Sequence, residues 1–411
     1  MNKEALKKYA ELIARSGVNI RKGQQVVIRT EPEQTDFVEM LVEQCYLAGA
    51  SKVFLEWRFT PALRIDIDYQ SEETLSFVEP WEELRLKQRT ELLPANIYLD
   101  SDDPDAFDGI DQAKWARAQQ KRFSITKKYR DSMENKYQWC VAAVPGKKWA
   151  KKVFPGCSEE DAVEKLWETI LYCSRADLEP MEQWKQHNRE LKRRCDALNA
   201  WELRRLHYKS SSSGTDLTVG LMPQMRFRGG AEYLTDGETA FNANIPSEEI
   251  FTTPMKGDAE GIVYATKPLC YRGVMIENFS LRFEKGKVVE YHAEKNEEAL
   301  KEMLSMDEGA SMLGECAFVP YSGLIGQSGI LFYNTLFDEN ASCHLALGEG
   351  YSSCLENFGN YTQEQARALG VNESMIHEDF MIGTDDLSII GETADGRTIK
   401  IFTDGEWDKD I

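Results

Sequence analysis

Between Met1 and Arg15 the apolar residues Leu6, Tyr9, Ala10, Leu12 and Ile13 recur at a spacing that puts them on one face of a helix. Gly17 and Gly23 end that pattern. Residues 24–29 then predict a strand, residues 35–48 a helix with Phe37, Met40, Leu41 and Cys45 on one side, and residues 51–57 a second strand. Strand, helix, strand implies a parallel pair, because parallel neighbours need a crossover of this kind. Further buried strands are expected at 95–99 and 139–144. Residues 159–198 read as helical, with Val163, Leu166, Trp167, Ile170 and Leu171 as one stripe, and the domain junction is expected in this stretch. Beyond it the texture changes to short alternating runs broken by glycine, at 203–208, 217–221, 261–265, 279–283, 287–292 and 398–402, with helices at 297–304 and 362–368. The fold class is therefore α/β: an amino-terminal α/β sheet domain over residues 1–180 and a strand-rich, mixed α+β domain over residues 181–411.

A length of 411 residues agrees with such a division, at about 100–200 residues per domain. Charge then narrows the partners. With 69 acidic against 49 basic side chains the net charge is −20, which repels phosphate backbones and anionic membranes, so nucleic acid and membrane partners are not expected. No apolar run approaches the ~20 residues of a membrane helix, and the mixed charges of residues 1–8 do not read as a secretory leader. Nine scattered cysteines, never spaced Cys-x-x-Cys, argue for a reducing cytoplasm rather than a disulfide framework. No Gly-x-Gly-x-x-Gly or Gly-Lys-Ser motif marks a nucleotide site.

The ionisable residues that bear on chemistry lie in the second half. His187, His207 and His292 have the surroundings of surface helix or half-exposed strand. His377 and Asp379 differ: on a strand, positions i and i+2 share a face, so an imidazole and a carboxylate converge, as a divalent cation of the zinc, cobalt or manganese type requires. A histidine hydrogen-bonded within a sheet has the same local pattern. Glu315 follows Gly314 at the head of an apolar strand, where an ionised group needs a partner or a metal. His344 opens another apolar run. One of Glu248 and Glu249, bracketed by Pro246 and Pro254, is expected to point inward, the alternative being a helix turn capped by Ser247. Three carboxylates and two imidazoles suffice for two adjacent metals, which together activate a water and polarise an amide carbonyl. A cysteine nucleophile at Cys316 or Cys343 lacks a basic partner in the sequence.

The runs Asn244-Ile245-Pro246-Ser247-Glu248-Glu249-Ile250-Phe251-Thr252, Gly314-Glu315, His344-Leu345-Ala346-Leu347-Gly348-Glu349-Gly350-Tyr351 and His377-Glu378-Asp379-Phe380-Met381-Ile382-Gly383 resemble the motifs of the thermophilic metallo-aminopeptidases, the group of aminopeptidase T, aminopeptidase S and PepS. The resemblance spans the chain, including Lys8-Tyr9-Ala10-Glu11-Leu12 and Ser213-Gly214-Thr215-Asp216-Leu217. It implies a cytoplasmic, homodimeric exopeptidase that uses two divalent ions, zinc, cobalt or manganese, to release amino-terminal residues from short peptides. It also implies Glu249, Glu315, His344, His377 and Asp379 as metal ligands, Glu315 and Tyr351 as catalytic residues, and a mixed carboxy-terminal domain around the metals. The contrasting reading is a catalytically idle metal- or peptide-binding protein holding one structural ion.

Overall fold

The computed structural model describes residues 2–101, 103–409 and 411. Its chain divides into one unit of Met1–Trp184 with Ala231–Pro246, and a second of Lys185–Gly230 with Ser247–Ile411.

In the first unit the apolar runs form a parallel sheet of β1 (Gln25–Thr30), β2 (Lys52–Trp57), β3 (Ala95–Asp100) and β4 (Trp139–Ala143), in the order β4-β3-β1-β2. The expected helix appears at Thr35–Leu47 and buries Phe37, Val38, Leu41 and Cys45. Phe37 lies between Tyr9 and Trp167, ring centroids 5.6 and 5.3 Å away. Burial of each such ring contributes about 1.5–3 kcal/mol. The buried Tyr9 hydroxyl donates to the Ala143 carbonyl at 3.1 Å, tying the first helix to β4. Residues 231–246, carried with the second domain by the sequence reading, return to this unit, where Asn244–Ile245 adds a fifth parallel strand beside β4. Two residues are too few to produce a periodic signal.

The second unit is antiparallel. Its larger sheet contains Leu203–Lys209, Asp216–Gly220, Ala259–Tyr264, Val274–Glu284, Lys287–Lys295, Ser388–Thr393 and Thr398–Thr403. Its smaller sheet has five strands in the order His377–Met381, His344–Gly348, Leu313–Phe318, Ile250–Thr252, Arg228–Gly229. A single apolar core joins the two, with Tyr208 stacked on Phe318 and Phe279 against Phe380. One face of the smaller sheet is thereby committed to the core. Among the described residues no helix is long and apolar enough to cross a membrane.

Candidate metal centre

The other face of the smaller sheet carries the ionisable groups. Register places Ala317, His344 and Met381 in one row, Glu315, Ala346 and Asp379 in the next, and Gly348 opposite His377. Pleating sends Phe318, Leu345, Leu347 and Phe380 to the core and these side chains to the opposite side. Ala346 and Gly348 are small, so the middle of the face stays open between Glu315 and Asp379.

Residues 246–249 lead into the strand Ile250–Thr252 without a helical turn. Of the two adjacent acids, Glu249 meets His344, Oε2 to Nε2 at 3.1 Å. The Glu248 N–H donates to Asn340 Oδ1 at 2.7 Å. His377 Nε2 lies 2.9 Å from Glu315 Oε2, 3.5 Å from Asp379 Oδ1 and 3.0 Å from the Tyr351 hydroxyl. Donor atoms of Glu249, Glu315 and His344 fall within 4.8 Å of one another, as do those of Glu315, His377 and Asp379. Glu315 belongs to both groups, and all five residues expected as ligands come together. Each imidazole is oriented through its other nitrogen, His377 Nδ1 being 2.8 Å from the Glu349 carbonyl and His344 Nδ1 3.3 Å from that of Ser342. These contacts turn both Nε2 atoms toward the carboxylates.

Sequence reasoning passed over Glu339. It sits in the short turn Glu339–Ala341, buried, hydrogen-bonded to Asp379, and accepts from Asn340 Nδ2 at 3.3 Å. The run Asp338-Glu339-Asn340 looks like a solvated turn; the flanking Phe332, Leu336 and Phe337 were the available sign that it is drawn inward.

Four carboxylates and two imidazoles in one buried place set the electrostatics. Burial, then the charges of Glu249 and Asp379, push Glu315 up to about 7 against the pull of His377. Burial, then the charges of Asp379, Glu249 and Glu315, hold Glu339 far above the ordinary range. Burial lowers His344, but its bond to Glu249 and then the surrounding anions take it up to about 9. Burial likewise lowers His377, yet the anions, chiefly Asp379, raise it well above its ordinary value. Asp379 Oδ1 is buried and accepts no hydrogen bond, its contact with His377 Nε2 being 3.5 Å long. Oxygen and imidazole donors converging in one buried place fit divalent cations.

Tyr351 stands at the edge of this group. Its ring meets Phe251 edge-on with centroids 5.6 Å apart, and its N–H donates to Thr253 Oγ1 at 2.8 Å. Burial, and then the charge of Glu315, raise its hydroxyl far above the usual value, so it stays protonated and able to donate. The remaining histidines have local partners: His187 the Ser247 carbonyl, His207 Asp216, and His292 Glu297. Burial pushes the Cys316 and Cys343 thiols up to about 12, which removes them as nucleophiles.

Comparison with known proteins supplies the family. Aminopeptidase AmpS of Bacillus subtilis is 40% identical over 406 residues, 98% of each chain. Aminopeptidase T of Thermus thermophilus is 38% identical over 407 residues, again 98% of each. The structure of wild-type AmpT from Thermus thermophilus superposes with a TM-score of 0.88 at 36% identity, covering 98% of this chain and 99% of that one. The profile of the family described as thermophilic metalloprotease (M29) matches residues 2–407. A match of that extent takes in both units and every residue of the acid and imidazole face, and this chain belongs to the thermophilic metalloprotease (M29) family.

Proposed function

We propose that this metalloprotease is an aminopeptidase that hydrolyses the amino-terminal bond of short peptides with two divalent ions, zinc, cobalt or manganese. The observation that carries this reading is the sheet face on which Glu249, Glu315, Asp379, His344 and His377 bring their donor atoms together, with Glu339 beside Asp379. Glu249 with His344 would hold one ion and His377 with Asp379 the other, Glu315 standing between them and Glu339 beside Asp379. Bound ions supply Lewis acidity to the scissile carbonyl, acidity to a water, and an anchor for the free α-amine. Glu315, standing between the two, is the carboxylate placed to take the proton of the attacking water. The Tyr351 hydroxyl donates to the carbonyl oxygen as it gains charge. Phe251 holds its ring.

We also assign the protein to the cytoplasm, since its nine cysteines are all free, and to a homodimer. Phe54, Leu55 and Trp57 on the edge strand β2 stay 39, 40 and 46% exposed, an apolar border that a second copy would cover. Thorough chelation should abolish cleavage of leucine and arginine amide reporters, with activity restored by cobalt or zinc, and elemental analysis should give two ions per chain. Activity that survives chelation defeats the reading, and a single tightly closed ion without turnover favours a binding protein.

A further inference from the structure

Apart from the candidate metal centre, the first unit has a half-open cavity of about 540 Å³ lined from β1, β3 and the helices Pro80–Leu92 and Gln112–Met133. Five guanidinium groups face it: Arg29 on β1, Arg85 and Arg89 on the first helix, Arg122 and Arg130 on the second. Two carboxylates answer them. Glu56 on β2 takes Arg29 at 2.8 Å, Arg85 at 3.0 Å and also Arg89, while Glu82 takes Arg122 at 2.7 Å. Arg130 lies over the Phe123 ring, 5.2 Å from its centroid, and has no carboxylate partner among the described residues. Five cations less two anions leave three positive charges, on a chain whose total is −20.

Like charges held close repel, so a network built only to hold helices on a sheet gains most when cations and carboxylates balance. Here three guanidiniums crowd one carboxylate. Arg89, with a side chain only 11% exposed, is lowered by burial, is partly restored by Glu56, and is lowered again by Arg29 and Arg85. A multiply charged anion would relieve that repulsion. The guanidiniums come from three walls, which suits phosphate oxygens pointing in several directions better than a carboxylate bound along one edge. We propose that this cavity binds a diphosphate group, free or carried on a larger body. The site is independent of the aminopeptidase reading.

The test is calorimetric titration of the full chain with sodium pyrophosphate, a nucleoside triphosphate and citrate at matched ionic strength. Arg130→Gln breaks no ion pair, and Arg85→Gln leaves Glu56 two partners, so both variants should melt like the parent and cleave the reporter at the parental rate. Each should bind pyrophosphate about tenfold more weakly, as loss of one charge-assisted contact to the anion requires. Equal binding of pyrophosphate and triphosphate identifies the diphosphate itself as the ligand, and binding of the triphosphate alone identifies a diphosphate on a larger body. Binding unchanged in both variants would place the signal at the metal centre and overturn the proposal. So would citrate binding as tightly as pyrophosphate, or no binding at millimolar concentrations.

Discussion

Tyr351 shows how a residue's chemistry is made by its neighbours. An isolated tyrosine beside a glycine is an ordinary turn aromatic, and nothing in Glu349-Gly350-Tyr351 says otherwise. In the fold, Thr253 fixes its backbone, Phe251 its ring and His377 its hydroxyl. Tyr351→Phe should keep the fold and the metal content and lower kcat about 10²–10³-fold with KM little changed, the usual cost of one oxyanion donor. A parental kcat in steady-state assays would remove Tyr351 from the chemistry. Glu339 teaches the complementary lesson. His377 and Asp379 were legible because a strand's period of two puts them on one side, and Glu315 because an acid heading an apolar strand is conspicuous. Glu339 depends on a turn folding inward, which no short period encodes.

Elements were legible where burial is one-sided. The helix Thr35–Leu47 has a clean stripe and was anticipated within a residue, and the strands of the second unit were largely found. The helices Pro80–Leu92 and Gln112–Met133 were not, because the first buries no residue and the second buries only Ala118 and Met133. In the smaller sheet of the second unit the small residues matter as much as the acids and imidazoles. Gly348 has φ +106°, and a Cβ there would stand 2.1 Å from the Ile376 carbonyl oxygen, next to the residue that sets His377. Ala346→Val would place two methyl groups between Glu315 and Asp379. It should cost about 1–3 kcal/mol by overpacking and displace at least one ion, measurable by denaturant melts and elemental analysis. A fully loaded variant would contradict the open middle of that face.

The turn after Leu203–Lys209 depends on a different acid. Asp386 accepts from the Ser210, Ser212 and Thr384 hydroxyls at 2.7 Å each and from the Ser211 and Ser212 N–H groups at 2.9 Å. The Ser210 hydroxyl first, then Thr384 and Ser212, hold its carboxyl well below the ordinary aspartate range. A depressed value in the folded state means that these bonds stabilise fully above the ordinary value of about 3.9 and fade as pH falls through the folded one. Asp386→Asn should therefore flatten the acid limb of the Tm profile and speed amide exchange at Ser211 and Ser212. An unchanged acid limb would show that the turn holds without the carboxylate.

At the scale of the whole molecule, bound ions are part of stability as well as chemistry. A site at a free metal concentration about 100 times its Kd adds about 2.7 kcal/mol to the folded state. The metal-loaded protein should therefore melt above the chelated one by a margin that grows with metal concentration, and calorimetric scans with a Tm independent of metal would contradict it. The proposed ligands run from Glu249, just before one strand, to His377 and Asp379 together on another strand of the same sheet, with the core packed on its reverse side. Pairings so distant along the chain form slowly and only once most of the topology exists. On the proposed site the cations would act as a keystone set last: denatured protein returned to buffer with chelator should regain its native circular dichroism while inert, then become active within the time of metal addition. In this respect it is the reverse of a zinc finger, whose ion organises an otherwise unfolded chain.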